Sequence, residues 1–566
     1  MTYDADVIVI GAGGGGAVAA KELGERGIEV LVLEAGPWYG NKRWPEPNRE
    51  PGARSSNSPE DLDQPLLARQ FSDLEFDMND GVSGKFRWGP ADRRRSPWAR
   101  TLRQQGLIFQ NAGVGGTTLH YLANSPRAYP AAIEGLWPIS YRDLIPYYEK
   151  AEHTLPVRPA PTTAKEELFY YGARKAGWSP IHTPNVTEPG YRPQPNAILL
   201  PDPRINDPEF EIRADTLGCT LRGHCVNGCY IGPSVDKVAK RSTLVSYIPL
   251  ALKTGKVTVR PNTFVTRILT EPGRGDEVRA VGVRFRDTWT GEHGELRART
   301  IVMAGGGIET PRLWLNSELP YNPWVGRGMT NHFFDWVTGV FDQTTLTEIL
   351  GPTEANQHVG QNSGARFDYP GLGMLEPIGF GPGMFASLLY SFSQVGYAHL
   401  REVPPGSPWD LEGRVVGEPL KALMAQYRQS MAILISTDDD VDQRNGVFVD
   451  PTVQDEHGPV PQIHYQPTRR SIERRDRLAV IAAEILRKAG ARQVIRGNWP
   501  PAAFIHMEST MRMGYVTDTA CEALQVKGLF IADNSAHSNA IGGPNPTLTT
   551  QALATIMADK MAERYF

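Results

Sequence analysis

The first forty residues carry the pattern that most restricts the fold. Asp6–Ile10 is a short β-branched run, which is typical of a buried parallel strand. It leads into Gly11-Ala-Gly-Gly-Gly-Gly16, a match to Gly-x-Gly-x-x-Gly. A helix is predicted over 17–26 and a second strand over 27–33, which ends at Glu34. This βαβ pattern predicts a Rossmann-like α/β fold that binds a dinucleotide.

Each residue of the motif has its own physical reason. Gly11 allows the tight turn, Gly13 lets the backbone approach a pyrophosphate, and Gly16 lets helix and strand pack closely. Glu34 is placed to bind ribose hydroxyls, and its carboxylate would repel a 2′-phosphate, so FAD or NAD is favoured over NADP. The motif does not choose between FAD and NAD. The alternative is a glycine-rich turn that binds no ligand.

A second loop-to-helix junction lies in the C-terminal quarter. Residues 526–533 predict a turn and a strand that ends at Asp533. A loop beginning at Asn534 then leads to Asn545-Pro546-Thr547, and a helix is predicted from about Gln551 to Glu563. A helix start near Pro546 favours negative charge, such as the N1/C2=O edge of a reduced isoalloxazine.

Five segments in this order resemble the glucose–methanol–choline (GMC) oxidoreductase family. They are Gly11–Gly16 with Glu34-Ala-Gly-Pro, Gly113–His120, Ala304–Leu313, His506–Gly514 and Asp533–Leu548. The resemblance implies that the chain binds FAD and oxidises an alcohol to a carbonyl compound. It is similar to the pyranose oxidase, glycoside 3-oxidase and gluconate dehydrogenase branch. The implied architecture is α/β (α+β overall), with a Rossmann-like FAD-binding domain and a substrate-binding domain on an antiparallel sheet.

Removal of hydride from an alcohol carbon needs a base for the hydroxyl proton, and histidine suits this role. The chain has twelve histidines, which the sequence alone does not rank. The resemblance implies that His506 is the base and that Asn545 orients the substrate hydroxyl, with the hydride passing to flavin N5. His537 is the reserve candidate for a second catalytic group.

The same resemblance implies a set of FAD contacts. They comprise Gly11, Gly13, Gly16, Glu34, Gly115, Gly116, Thr118, His120, Val265, Ala304, Asp533, Asn534, Asn545, Pro546 and Thr547. His120 stands where pyranose oxidase carries a histidine covalently joined to the flavin. Leu119 replaces the polar residue that precedes that histidine. A covalent link is therefore an open alternative, and a histidine close to a non-covalent FAD is favoured.

Three of the four cysteines are clustered as Cys219, Cys225 and Cys229. This spacing does not match zinc or iron–sulfur patterns, so no metal is expected. Either a Cys225–Cys229 disulfide or three free thiols is compatible with the sequence.

The resemblance also implies a discontinuous domain division. The FAD-binding domain is placed at 1–45, 100–125, 235–320 and 500–566. The substrate-binding domain and lid segments take 46–99, 126–234 and 321–499. Within the substrate domain, Met431–Ile435 and Gly446–Val449 are expected strands, and one of the segments 45–100 and 345–415 is expected to cover the substrate entrance.

The leading hypothesis is oxidation of a secondary sugar or glycoside hydroxyl, at C2 or C3, with O₂ or another electron acceptor. The alternatives are a gluconate-type dehydrogenase with a cytochrome or quinone acceptor and, remotely, a non-redox flavin-containing lyase. A net charge of −4 argues against nucleic-acid binding. We see no transmembrane segment or secretory signal, so a cytoplasmic protein without a membrane partner is expected. The sequence does not determine the oligomeric state.

Overall fold

A computed structural model describes residues 3–36, 38, 107–108, 110–200, 218–219, 221, 223, 225, 239–273, 275, 277–288, 290–357, 359–386, 398–501 and 503–566. All structural statements below concern these residues. The predicted lid segment 46–99, Cys229 and most of the region between 201 and 238 lie outside them.

Strands and helices are interspersed along the described chain. The strands are β1 (Ala5–Ile10), β2 (Val30–Leu33), β3 (Leu107–Ile108), β4 (Arg158–Pro159), β5 (Gly190–Pro193), β6 (Pro195–Asn196), β7 (Val257–Arg260), β8 (Thr263–Pro272), β9 (Val278–Asp287), β10 (His293–Met303), β11 (Asp335–Val340), β12 (Ala365–Tyr369), β13 (Gly373–Ile378), β14 (Arg401–Glu402), β15 (Leu411–Glu412), β16 (Ser430–Thr437), β17 (Gly446–Asp455), β18 (Gly458–His464), β19 (Gln493–Arg496), β20 (Ala503–Phe504), β21 (Val526–Lys527) and β22 (Leu529–Ile531). The helices are α1 (Gly16–Glu25), α2 (Pro130–Ile133), α3 (Tyr141–Thr154), α4 (Ala164–Lys175), α5 (Tyr247–Lys253), α6 (Gly306–Asn316), α7 (Gln343–Leu350), α8 (Pro382–Phe385), α9 (Gly417–Ala425), α10 (Arg469–Lys488) and α11 (Thr547–Tyr565).

The first sheet is built around a parallel core. Strands β7, β2, β1, β10 and β22 are adjacent and parallel, as the βαβ pattern predicts. The apolar residues of β1 are buried on both faces, which is usual for a strand inside a parallel sheet. The N-terminal half of β10 pairs with β9 in antiparallel fashion, and β8 continues that antiparallel ribbon.

The second sheet is largely antiparallel, in the order β14-β15-β19-β11-β16-β13-β12-β5. Only the β15–β19 pair is parallel among its described pairings. Helix α10 packs on one face of this sheet through Leu478, Ala482 and Leu486, against Ile433 and Ile435 of β16. The predicted fold class, a Rossmann-like unit joined to an antiparallel substrate sheet, is thereby confirmed.

Two local predictions need correction. The sequence predicts that a helix starts at Thr310 and Pro311, but α6 begins at Gly306 and contains Pro311. Strand Ser430–Thr437 lies in the second sheet as expected, whereas the strand that begins at Gly446 pairs with β18 in a separate two-stranded ribbon. The 345–415 segment, one of the two expected to cover the substrate entrance, contains β12 and β13.

No described helix is both long and apolar enough to span a bilayer.

Candidate active site

A deep cleft opens at the carboxyl ends of the parallel strands. The last residues of β1, β2 and β10, which are Ile10, Leu33 and Met303, all line it. This edge is where doubly wound sheets bind nucleotides. Other parts of the chain complete the wall, and the predicted FAD contacts among its residues are Gly11, Gly13, Glu34, Gly116, Thr118, Val265, Ala304, Asp533, Asn534 and Thr547.

The glycines of this cleft are required by close backbone contacts. A Cβ atom on Gly15 would lie 1.8 Å from the Ala532 carbonyl oxygen, and one on Gly16 would lie 2.0 Å from that of Gly11. Gly116 has φ +53° and packs closely against Gly13. A Cβ atom added to Gly116 would lie only 2.7 Å from the Gly13 Cα. The two glycine-rich loops therefore touch through their main chains.

Glu34 joins three loops around the cleft. Its carboxylate accepts the backbone N–H groups of Ala12 (2.8 Å), Gly36 (2.9 Å) and Gly113 (2.9 Å). Burial raises the pKa of Glu34 to about 7, although the three N–H groups oppose that rise. Ribose binding by Glu34 stays a prediction, and the structure adds a second role in joining the loops.

Asp533 holds the start of α6 beside the cleft. Its Oδ2 accepts the N–H of Gly306 (2.9 Å) and the hydroxyl of Thr310 (2.5 Å). Burial raises the pKa of Asp533. This contact accounts for the early start of α6, because the carboxylate supplies an acceptor for an N–H group at the helix start.

A second cavity adjoins the cleft and contains the predicted catalytic pair. His506 and Asn545 both line it, together with His120 and Pro546. Gln110, Thr117, Ile505, Asn534 and Thr547 line both spaces, so the cavity and the cleft are direct neighbours. Asn545 Oδ1 is buried and has no hydrogen-bond partner among the described residues.

Three predicted residues lie away from both spaces. Gly16 and Gly115 stand behind the cleft wall, where they pack against Gly11 and Leu119 respectively. His537, the reserve catalytic candidate, is fully buried and does not line the cavity. Its ring nitrogens contact Glu508 and Thr550 instead, so the structure gives it no access to a substrate in the cavity.

The imidazole of His506 is held by a second histidine. Its Nδ1 lies 2.9 Å from Nδ1 of His332, and its Nε2 makes no hydrogen bond with a described residue. Burial and the adjacent His332 ring lower the pKa of His506 well below its usual range. The ring is therefore a neutral group that lines the cavity near neutral pH.

Comparisons with known proteins agree with this geometry. The chain matches the family description "GMC oxidoreductase" over residues 208–334 and 442–554, and "FAD binding domain" over residues 4–41. The chain belongs to the GMC oxidoreductase family. It is 26% identical to 6'''-hydroxyparomomycin C oxidase of Streptomyces lividus, over 97% of this chain and 90% of that protein.

Two further comparisons are informative. Gluconate 2-dehydrogenase flavoprotein of Pantoea cypripedii is 24% identical over 64% of this chain and 62% of that protein. Pyridoxine 4-oxidase from Mesorbium loti has a similar fold, with a TM-score of 0.57 and 15% sequence identity, over 99% of this chain and all of that one. This GMC oxidoreductase is an FAD-dependent enzyme that acts on CH–OH groups.

The cleft of this GMC oxidoreductase fits FAD. The Cβ atoms that Gly13 and Gly14 lack would meet no atom closer than 3.6 Å, so the backbone there is open to a diphosphate. Helix α1 has no side-chain cap at its N-terminus, which leaves its first N–H groups available to phosphate oxygens. Thr547, the first residue of α11, stands where cleft and cavity meet.

The second sheet forms the far wall of the cavity in this GMC oxidoreductase. Trp336, Leu434 and Glu376 are in register across β11, β16 and β13, and all three line the cavity. Leu122, Phe334, Ile378 and Phe380 extend the apolar part of that wall. No local sequence pattern identifies this set, because its members are brought together by strand register across about a hundred residues.

Among the described residues that line the cavity, Glu376 is the one acidic side chain. Its carboxylate accepts hydrogen bonds from Asn124 Nδ2 (2.9 and 3.1 Å) and from Gln194 Nε2 (2.8 Å). Asn124 also lines the cavity, and its Oδ1 is buried without a partner among the described residues. Burial raises the pKa of Glu376.

His332 and Glu508 are site residues that sequence reasoning missed. Glu508 lies within the His506–Gly514 segment and contacts His332 and His537, so the segment itself gave a signal for it. His332 comes from a loop before β11, more than 170 residues from His506, and no local pattern marks it. Among the described residues, no group of three or more His, Cys, Asp or Glu side chains is arranged to hold a metal ion. Cys219 and Cys225 are buried.

Proposed function

We propose that this enzyme oxidises a secondary hydroxyl of a sugar or glycoside ring, at C2 or C3, to a ketone. His506 acts as the base and Asn545 hydrogen-bonds the reacting hydroxyl. The observation that supports this assignment is the convergence of both side chains in one cavity that adjoins the FAD cleft.

His506 takes the hydroxyl proton on Nε2, the ring nitrogen with no hydrogen bond to a described residue. The same step turns the C–O single bond into a carbonyl and releases the carbon-bound hydrogen as hydride. When FAD is bound, its isoalloxazine N5 supplies the hydride acceptor. A positioned base of this kind contributes roughly 10²–10⁴ in rate.

Asn545 complements the base. Its buried Oδ1 has no partner among the described residues, and the side chain lines the same cavity as His506. An amide at this position donates to the substrate oxygen through Nδ2 while the hydroxyl proton passes to the imidazole. The same donor stabilises the negative charge that develops on that oxygen during proton transfer.

The cavity wall supports a polyhydroxylated ring as substrate. Asn124, Glu376 and Asn545 provide acceptors for hydroxyl groups, and Trp336 and Phe380 provide an apolar surface for the C–H face of a ring. Two relatives carry names that refer to sugar-derived compounds, an oxidase of hydroxyparomomycin and a dehydrogenase of gluconate. No Lys or Arg lines the cavity among the described residues, which favours a neutral sugar over a sugar acid.

We also propose that FAD is held without a covalent link. His120 lines the cavity near residues such as Thr117 that also line the FAD cleft, so a covalent bond between His120 and the flavin stays the alternative. The residue before it, Leu119, is fully buried in the apolar core and is not the polar residue of the covalent pattern. Acid precipitation of the purified protein tests this, because a non-covalent flavin stays in the supernatant and a tethered one colours the pellet.

The decisive experiment is an anaerobic screen of free sugars, O-glycosides and C-glycosides. We expect at least one to bleach the flavin absorbance, with NMR of the product showing a ring ketone. If no carbohydrate bleaches it, the proposed substrate class is wrong. The same screen, repeated in air, identifies the electron acceptor. Hydrogen peroxide release supports an oxidase. Dye reduction without peroxide supports a gluconate-type dehydrogenase, the alternative to which the Pantoea cypripedii relative points.

A further inference from the structure

We propose that His332 is a positioning residue for His506, which it fixes in the tautomer whose Nε2 is unprotonated. This inference rests on the proposed function of His506 as a base. A base can accept a proton only through a nitrogen that carries a lone pair, so the choice of tautomer decides whether the site is competent.

The carbonyl of Ala540 determines which nitrogen of His332 carries hydrogen. His332 Nε2 lies 2.8 Å from that oxygen. A carbonyl oxygen only accepts, so Nε2 must donate. Glu508 Oε1 lies 3.2 Å from the same nitrogen but lacks hydrogen-bond geometry. The Ala540 carbonyl is therefore the acceptor that selects the tautomer.

The ring of His332 is neutral, which leaves its other nitrogen as an acceptor. The side chain is completely buried, and burial lowers the pKa of His332 to about 4. With the single ring hydrogen on Nε2, Nδ1 carries the lone pair. His506 Nδ1 lies 2.9 Å away and must therefore donate its hydrogen. A neutral His506 that carries hydrogen on Nδ1 has its lone pair on Nε2.

A group of buried polar side chains packs beside His332. Glu508 lies between His332 and His537, and its Oε2 is 2.7 Å from His537 Nδ1. His537 Nε2 in turn lies 3.1 Å from the hydroxyl of Thr550, at the start of α11. Glu508 and His537 are completely buried, and Glu508 pairs with no Lys or Arg among the described residues. These contacts extend from the surroundings of His332 to α11, the helix that borders the FAD cleft.

The backbone of His332 is unusual as well. Its φ is +49°, a left-handed conformation that non-glycine residues adopt rarely. Backbone strain of this kind persists where surrounding contacts enforce it, and it is concentrated at functional sites. His332 thus combines this backbone conformation with two ring contacts, to His506 and to the Ala540 carbonyl.

Two substitutions separate tautomer control from simple packing. His332→Leu keeps an apolar side chain of similar volume but presents no acceptor to His506. His332→Gln presents an amide oxygen that can accept from His506 Nδ1–H. We expect the Leu variant to lose roughly 10²-fold in kcat, with KM within about 3-fold, and the Gln variant to recover at least about 10-fold of that loss.

The tautomer itself is read by NMR of the full-length protein, with ¹⁵N in the histidine rings and the His506 signals assigned by their loss in His506→Ala. We expect Nδ1 of His506 to be protonated and Nε2 unprotonated in the wild type and in His332→Gln. In His332→Leu the signals should shift towards the Nε2–H form. Nε2–H in the wild type, or unchanged signals and rate in the Leu variant, would overturn the proposal.

This readout is independent of the proposed substrate. If no carbohydrate is oxidised but the wild-type tautomer is as expected, the substrate assignment fails and the positioning role stands. If a sugar is oxidised but His506 carries hydrogen on Nε2, the positioning role fails alone. Should the Leu variant not fold, the wild-type and Gln spectra still decide the question.

Discussion

Thr510 donates its hydroxyl hydrogen to the carbonyl oxygen of Gly307, at 2.8 Å. That carbonyl belongs to α6, and its usual helical partner would be the N–H of residue 311. Residue 311 is a proline, which has no N–H to donate. Thr510 thus supplies the missing hydrogen bond and joins the segment that carries His506 to the helix beside the FAD cleft.

Loss of this hydroxyl should leave the Gly307 carbonyl buried without its donor. Thr510→Val preserves the side-chain shape and is expected to lower the free energy of unfolding by about 1–3 kcal/mol. Thr510→Ser retains the hydroxyl and serves as the control, with a smaller loss. Chemical denaturation of the two variants measures the difference. Equal stability of the Val variant and the wild type would show that the contact contributes nothing.

The glycine-rich loop offers a matched pair of substitutions. A Cβ on Gly15 would lie 1.8 Å from the Ala532 oxygen, whereas one on Gly14 would meet Thr118 Cγ2 at an ordinary 3.6 Å. Gly15→Ala should therefore cost at least about 2 kcal/mol of stability, while Gly14→Ala should cost far less. Thermal unfolding compares them. A Gly15→Ala variant as stable as Gly14→Ala would contradict the described backbone contact.

The glycine-rich loop and the start of α6 show how far local sequence predicts the structure around the FAD cleft. The strand, glycine turn, helix and second strand are neighbours in the chain, so the pattern over 6–34 predicts them and their order in the sheet. The start of α6 was misplaced because it depends on Asp533, a residue more than 220 positions away. Local propensity favours proline near a helix start, and the residues around 306–311 give no information about the distant Asp533 carboxylate.

The wall of the substrate cavity could also be predicted only in part from the sequence. His506 and Asn545 could be named from the segments that resemble the family, but Trp336, Glu376 and Asn124 could not. Their meeting depends on the register of three strands and on a loop before α2. One residue of slip in that register would turn each side chain to the opposite face, and no periodicity along one strand specifies it.

Asn124 provides a test of substrate recognition at that wall. Asn124→Ala removes the unpartnered Oδ1 in the cavity, so KM for the sugar should rise roughly 10-fold with kcat changed less. Asn196→Ala is the control, because Asn196 is equally buried and bonds Gln361 and the Ser363 carbonyl but does not line the cavity. Steady-state kinetics with one sugar distinguishes the two. A similar KM for both variants would exclude Asn124 from recognition.

The pH dependence of turnover follows from the pKa of His506. Burial and the adjacent His332 lower that pKa, so the neutral base persists below the usual imidazole value of about 6.5. Protonation then removes activity only at still lower pH. We expect kcat/KM to stay flat from pH 8 to below about 6.5 before it falls. A midpoint of the acid limb at pH 6.5 or above would contradict a depressed pKa.

The most direct measurement is the rate of flavin bleaching after anaerobic mixing with an oxidised sugar, compared between the wild type and His506→Ala. If His506 is the base, the variant should keep its bound-flavin spectrum and bleach on the order of 10²-fold or more slowly. Bleaching of the variant at the wild-type rate, with the flavin equally bound, would show that another group removes the proton.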